Sequence, residues 1–180
     1  MRKLFVFILT ISSSIAAFSQ EKIYSTKSGS ISINANTPLE TIEATNSQTL
    51  SKLSDKSGQL VFMLLIKGFT FKNALMQEHF NENYMESSKF PKADFKGNII
   101  NLSEVNFTKD GSYNVKVEGI LTIHGVSKKI NTNGTIVVNK GNIKAQTTFK
   151  IKVRDFGITG KYIGEKIAEE VETTIVCKYD

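Results

Sequence analysis

Apolar and polar side chains alternate one for one through much of this chain. Ile31 and Ile33 alternate with Ser30, Ser32 and Asn34, and Val115, Val117, Leu121 and Ile123 with Lys116, Glu118, Thr122 and His124. Phe149, Ile151 and Val153 alternate with Lys150, Lys152 and Arg154, and Val171, Thr173, Ile175 and Cys177 with Glu172, Thr174 and Lys178. Successive side chains of a strand point to opposite faces, so each stretch predicts an antiparallel strand with one dry and one wet face. Turn residues fall between them at Lys109-Asp110-Gly111, Asn133-Gly134 and Asn139-Lys140-Gly141-Asn142. The last two bracket a β-branched strand at 135–138.

Three segments depart from this alternation. Residues 60–66, LVFMLLI, are apolar on both faces, which suits a strand covered on its outer side as well. Residues 37–53 are mixed, and Pro38 could open a helical turn through Leu39, Ile42 and Glu43. Over 73–86 the period changes to four: Met76, Phe80 and Tyr84 recur with Leu75 and His79 beside them, while Gln77, Glu78, Asn81, Glu82 and Glu86 take the other side. This predicts one amphipathic helix. Pro91 cannot continue it and turns Phe90 toward an extended conformation, leading into a strand around Phe95. The helix needs an apolar seat, either the strand at 60–66 or the open end of a barrel. About eight strands with regular turns indicate a closed antiparallel barrel or a sandwich.

The ends and the composition narrow the setting. Arg2 and Lys3 precede an apolar run, broken by Ser12-Ser13-Ser14, and Ala17-Phe18-Ser19 offers small residues for cleavage. Residues 1–20 are therefore expected to be a signal peptide, and 21–180 one secreted or periplasmic domain. The charge of the chain is +6, which falls to +4 without Arg2 and Lys3. The lysines are scattered, so no nucleic-acid partner is expected. No other apolar run reaches membrane-spanning length, so no integral membrane segment is expected after cleavage. Cys177 is the only cysteine, and its place in the alternation marks a small buried side chain rather than a nucleophile.

Catalytic chemistry finds no footing. Gly29-Ser30 and Gly111-Ser112 lack the flanks of a nucleophile elbow, and there is no Cys-x-x-Cys, phosphate loop or dinucleotide fingerprint. A metal would need His79 and His124 to converge with carboxylates such as Glu78 or Glu82. No enzyme, cofactor or metal is expected. Lys128, Lys129 and Arg154 could attract a phosphate head group, but the reading favoured here is solvated surface charge.

Three stretches together resemble the YceI family of secreted, lipocalin-like barrels. They are LMQEHFNENYMESSKFPKADFKG (75–97), VEGILTIHGVSKKI, which carries Gly119, Leu121, Ile123, His124, Gly125, Val126 and Lys128, and FKIKVRDFGI with its Asp-Phe-Gly-Ile corner at 155–158. Their order and spacing match over roughly residues 28–179. The Trp and His-Ser that many members carry near the first strands are absent here; the region reads IYSTKSGSISINANTPLETIEATNSQ.

The resemblance implies an all-β fold with one short helix, an antiparallel eight-stranded lipocalin-like β-barrel. It also implies a bore that holds a long isoprenoid or another lipid-like chain. On that basis the wall is expected to include Phe62, Leu64, Ile66, Phe95, Leu121, Ile123, Phe149, Ile151 and Ile175. His79, Phe80, Asn83 and Tyr84 of the helix are expected at the mouth. The alternative is a filled barrel with no ligand, serving as an envelope scaffold for a protein partner, with Glu78, Glu82 and Glu86 as a contact surface.

Overall fold

The computed structural model describes residues 20–179. Residues 1–19 of the expected signal segment lie outside them. The elements in chain order are β1 (Ile23–Asn34), β2 (Glu43–Ser54), β3 (Gln59–Leu65), a two-residue β4 (Thr70–Phe71), α1 (Ala74–His79), β5 (Lys92–Ile99), β6 (Gly111–Ile123), β7 (Val126–Asn139), β8 (Asn142–Lys152) and β9 (Glu170–Tyr179). Neighbours pair antiparallel in sequence order, β3 with β5 across the helical insertion. β1 pairs with both β2 and β9, which closes eight strands into an up-and-down barrel, while β4 only extends β2. Among the described residues closure pairs each barrel strand on both sides, although several ladders stop short of the strand ends, the β7–β8 ladder described below among them.

The alternating apolar positions supply the interior. Val115, Val117, Leu121 and Ile123 of β6 are buried, as are Ile136 and Val138 of β7 and Ile143 of β8. Two hairpins reverse on pairs with positive φ, His124-Gly125 (51° and 75°) and Lys140-Gly141 (49° and 80°). Such pairs match the twist of the strands they join.

The two ends are closed differently. At the end holding the chain's first described residues, Tyr24 stacks on Phe107 from the β5–β6 connection, with ring centroids 5.7 Å apart. At the other, α1 begins at Asn73, whose side chain accepts hydrogen bonds from the backbone N–H of Leu75 (2.9 Å) and Met76 (3.4 Å). This is an N-cap serving donors that the first turn leaves unpaired. After His79 the helix widens into a π-type turn over Phe80–Tyr84, closed by Met85 N–H donating to the Phe80 carbonyl at 2.9 Å.

The structure corrects four expectations. Residues 43–54 form β2 rather than continuing a helical turn from Pro38. Its inward side chains are Ala44, Asn46, Thr49, Ser51 and Leu53, mostly small or polar, so no apolar alternation betrays the strand. Asn133-Gly134 lies inside β7 and is not a turn. Gly134 is needed for close approach: a Cβ there would sit 2.9 Å from the Gln146 carbonyl. No described element covers the outer face of β3, where Leu65 is 52% exposed. Its outer neighbours are instead the paired residues Leu50, Lys52, Lys92 and Lys96. The helix accordingly does not lie on β3. It packs through Phe80 against Phe69 and Phe71, at centroid distances of 5.5 and 4.9 Å.

Candidate functional site

The barrel interior is unevenly filled. On the β1–β2–β9 side the inward residues include Thr26, Thr49, Ser51, Thr173, Cys177 and Tyr179, all buried and close-packed. Ser51 and Tyr179 share a buried hydroxyl–hydroxyl bond of 2.8 Å. Gly29 lies so near this cluster that a Cβ on it would stand 2.7 Å from Cys177 Sγ. Burial pushes the Cys177 thiol up to about 11, partly offset by the neighbouring Ser51 hydroxyl. Burial likewise raises Tyr179, with Cys177 adding to the shift. A thiol held protonated in this way is a packing group, not a nucleophile.

The remaining volume is an internal cavity of about 100 Å³. Its wall comes mainly from β3, β5, β6, β7 and β8, with Leu60, Phe62, Leu64, Phe95, Ile99, Val115, Val117, Leu121, Ile130, Ile136 and Phe149 among its large apolar groups, and Ile31, Leu53 and Ile175 reaching it from β1, β2 and β9. Along β6 it reaches from Val115 to Leu121. At about 3.3 Å per residue and a tilt of about 40°, that makes it roughly 15 Å deep. Thr132 and Thr147 are polar, but their hydroxyls bond to each other (3.2 Å), and Thr147 donates to the Asn133 carbonyl (2.7 Å). A wall of this kind offers a ligand dispersion and desolvation along its length.

Two glycines let an aromatic ring settle into the wall. Gly97 of β5 pairs with Gly119 of β6, and the Phe95 ring lies across both. A Cβ on either would come within 2.5 Å of Phe95 Cζ. The ring thereby holds its place in the wall, tilted against Phe62 with centroids 6.2 Å apart.

Of the nine wall residues named from the sequence, Phe62, Leu64, Phe95, Leu121, Phe149 and Ile175 line the cavity. Ile66, Ile123 and Ile151 lie nearer the helix end and do not. Sequence reasoning did not name Leu60, Ala145, Thr147 or Gly134. Leu60 was hidden in a run apolar on both faces. Ala145 and Thr147 sit in a part of β8 too polar to show its inner side, and Gly134 read as a turn. Val115 and Val117 share the face of Leu121, and parity alone would have found them.

The four helix residues gather at the helix end without touching the cavity. His79 and Asn83 are exposed, and Phe80 is half-buried on Phe69 and Phe71. Tyr84 lies over Gly160, where a Cβ would meet its ring at 2.5 Å. Burial first, and then Tyr162, raises its pKa. The insertion is tied to the β6–β7 turn by Glu86 Oε2 and His124 Nε2, 2.9 Å apart, with the Phe90 ring 4.3 Å from the imidazole. Among the described residues no three His, Cys, Asp or Glu side chains stand where they could hold a metal ion. None of the described helices is long and apolar enough to cross a membrane.

Comparison with known proteins agrees with this architecture. A polyisoprenoid binding domain from Saccharophagus degradans, implicated in plant cell wall breakdown, superposes with a TM-score of 0.73 at 12% identity, over 88% of this chain and 97% of that one. Burkholderia cenocepacia BcnA gives 0.65 at 16% identity, over 83% and 96%. The Campylobacter jejuni YCEI protein gives 0.56 at 18% identity, over 99% and 91%. At these identities the likeness establishes the fold. No curated protein matches the chain in sequence. The family model described as the YceI-like domain matches residues 10–179, so the chain belongs to the YceI family.

Proposed function

We propose that this protein is a non-enzymatic carrier that holds a lipid-like chain, an isoprenoid among the candidates, inside its barrel. It does so in the periplasm or outside the cell, after removal of residues 1–20. The observation that carries the reading is the apolar cavity inside the barrel, walled mainly by β3 and β5 to β8. Family membership supports it, as does the polyisoprenoid binding of the Saccharophagus degradans domain. Desolvation drives binding: each buried methylene is worth about 0.8 kcal/mol, so a chain needs no polar partner along its tail. The basic but scattered surface and the absence of nucleophile motifs fit a carrier with neither a nucleic-acid partner nor a chemical step.

The test is native mass spectrometry of protein purified from its own host, followed by organic extraction. A one-to-one adduct released as a polyprenyl or fatty-chain species is the expected result. A bare mass that persists after incubation with polyprenyl phosphates and fatty amides would favour a ligand-free scaffold instead.

A further inference from the structure

We propose that the chain enters and leaves this bore sideways, through a window between β7 and β8, with an anionic end held beside Lys128. The inference rests on the carrier reading above. β7 and β8 are hydrogen-bonded from Asn139↔Asn142 only as far as Gly134↔Thr147, although β7 continues back to Val126 and β8 on to Lys152. Extended in the same register, the ladder would set Thr132 opposite Phe149, Ile130 opposite Ile151 and Lys128 opposite Val153. None of these pairs forms, and the strands part.

Burial follows the parting. Where β7 is paired to β8, its inward Ile136 and Val138 are 1% and 2% exposed. Above the parting, Ile130 and Thr132 on β7 and Phe149 and Ile151 on β8 are only half-buried. Lys128 is the sharper sign. It pairs with buried Leu121 on β6, which places it on the bore-facing side of β7, yet it is exposed. A closed wall would bury a residue at that register. Ile130, Thr132 and Phe149 also line the cavity, so window and bore are continuous. The window is closed below by the Thr132–Thr147 contact and above by Gly157 against Val126 and His124.

Charge selects the polar end. Lys129 faces Glu118 at 3.2 Å, Lys150 and Lys152 share Glu170, and Arg154 faces Glu169 at 3.2 Å. Lys128 has no carboxylate within ion-pair distance among the described residues, so its charge is available to a phosphate or carboxylate at the window. The ligand class is thus a single-chain amphiphile with an anionic head.

The test places cysteines on the outer face of the window, Asn131→Cys with Lys150→Cys, both at exposed positions outside the bore. A short, reducible thiol-specific linker then tethers the two strands; buried Cys177 is 0% exposed and stays out of reach. Uptake and release of labelled farnesyl monophosphate should slow at least tenfold in the tethered protein and recover on reduction. Single-cysteine variants given the same reagent should match the parent. In a second arm, Lys128→Ala should weaken farnesyl monophosphate about fivefold and leave farnesol unchanged. Unaltered rates in the tethered protein would overturn the window, and equal loss of both ligands would overturn the head-group role of Lys128. If the untethered parent binds neither probe, the carrier reading itself fails, an outcome distinct from these two.

Discussion

Gly119 shows how much of the bore depends on what a residue lacks. A methyl group there would meet the Lys96 carbonyl at 2.5 Å and Gly97 Cα at 2.6 Å, both backbone atoms that cannot rotate away. Gly119→Ala should therefore destabilise the fold by about 3 kcal/mol and displace Phe95. The checks are a urea midpoint and the near-ultraviolet aromatic signal; a neutral substitution would mean that the strands separate more easily than the geometry indicates. Cys177 gives a pH signature. Its folded pKa of about 11 lies above the ordinary 9.0, so folding favours the protonated thiol. The stabilisation is complete below pH 9 and is lost as pH rises from 9 through 11, by about 2 to 3 kcal/mol. Tyr179, raised as well, adds a loss above pH 10. Urea midpoints under reductant should thus fall between pH 8 and pH 10.5, and Cys177→Ala should flatten part of that fall. The sequence already marked Cys177 as a buried small side chain. The contact with Gly29 and the bond between Ser51 and Tyr179 were not legible, because they join strands far apart in the chain.

At the level of elements, strands with one dry face were legible and strands with mixed interiors were not. β6, β9 and the second half of β8 announce themselves through alternating Val, Ile and Phe. β2 does not, because Asn46, Thr49 and Ser51 face inward against a polar wall. The helix was readable from its four-residue period and its proline stop. Its seat was not, since Phe69 and Phe71 come from a turn and a two-residue strand that no periodicity reveals. α1 has only two ordinary turns, too short to persist without capping and packing. Asn73→Ala should cost about 1 kcal/mol, seen as faster amide exchange confined to residues 74–85. Exchange left unchanged there would show that packing through Phe80 alone maintains the element.

For the whole molecule, closure and filling are separate achievements. Closure follows from eight strands in register; their number and alternation left a barrel and a sandwich both open, and only the resemblance to the YceI family pointed to the barrel. Whether the interior is open cannot be read from a pattern, because a filled and an empty barrel both want apolar inward faces. Gly134 and Ala145 line the opening with little or no side chain, while the space over Gly97 and Gly119 is taken by the Phe95 ring. Filling the opening should abolish binding without harming the fold. Ala145→Phe, half-buried in the cavity wall, should leave stability unchanged or higher and remove ligand uptake. Loss of folding together with binding would mean that the side chain has no room to enter the cavity.

The most direct measurement is the affinity of the unmodified protein for a series of unbranched fatty chains of increasing length, followed by titration calorimetry. If the bore holds the chain by desolvation, affinity should rise up to about fourfold per added methylene and then level off once the cavity is full. The heat capacity change on binding should be negative. No binding at any length, or an affinity independent of length, would contradict the account.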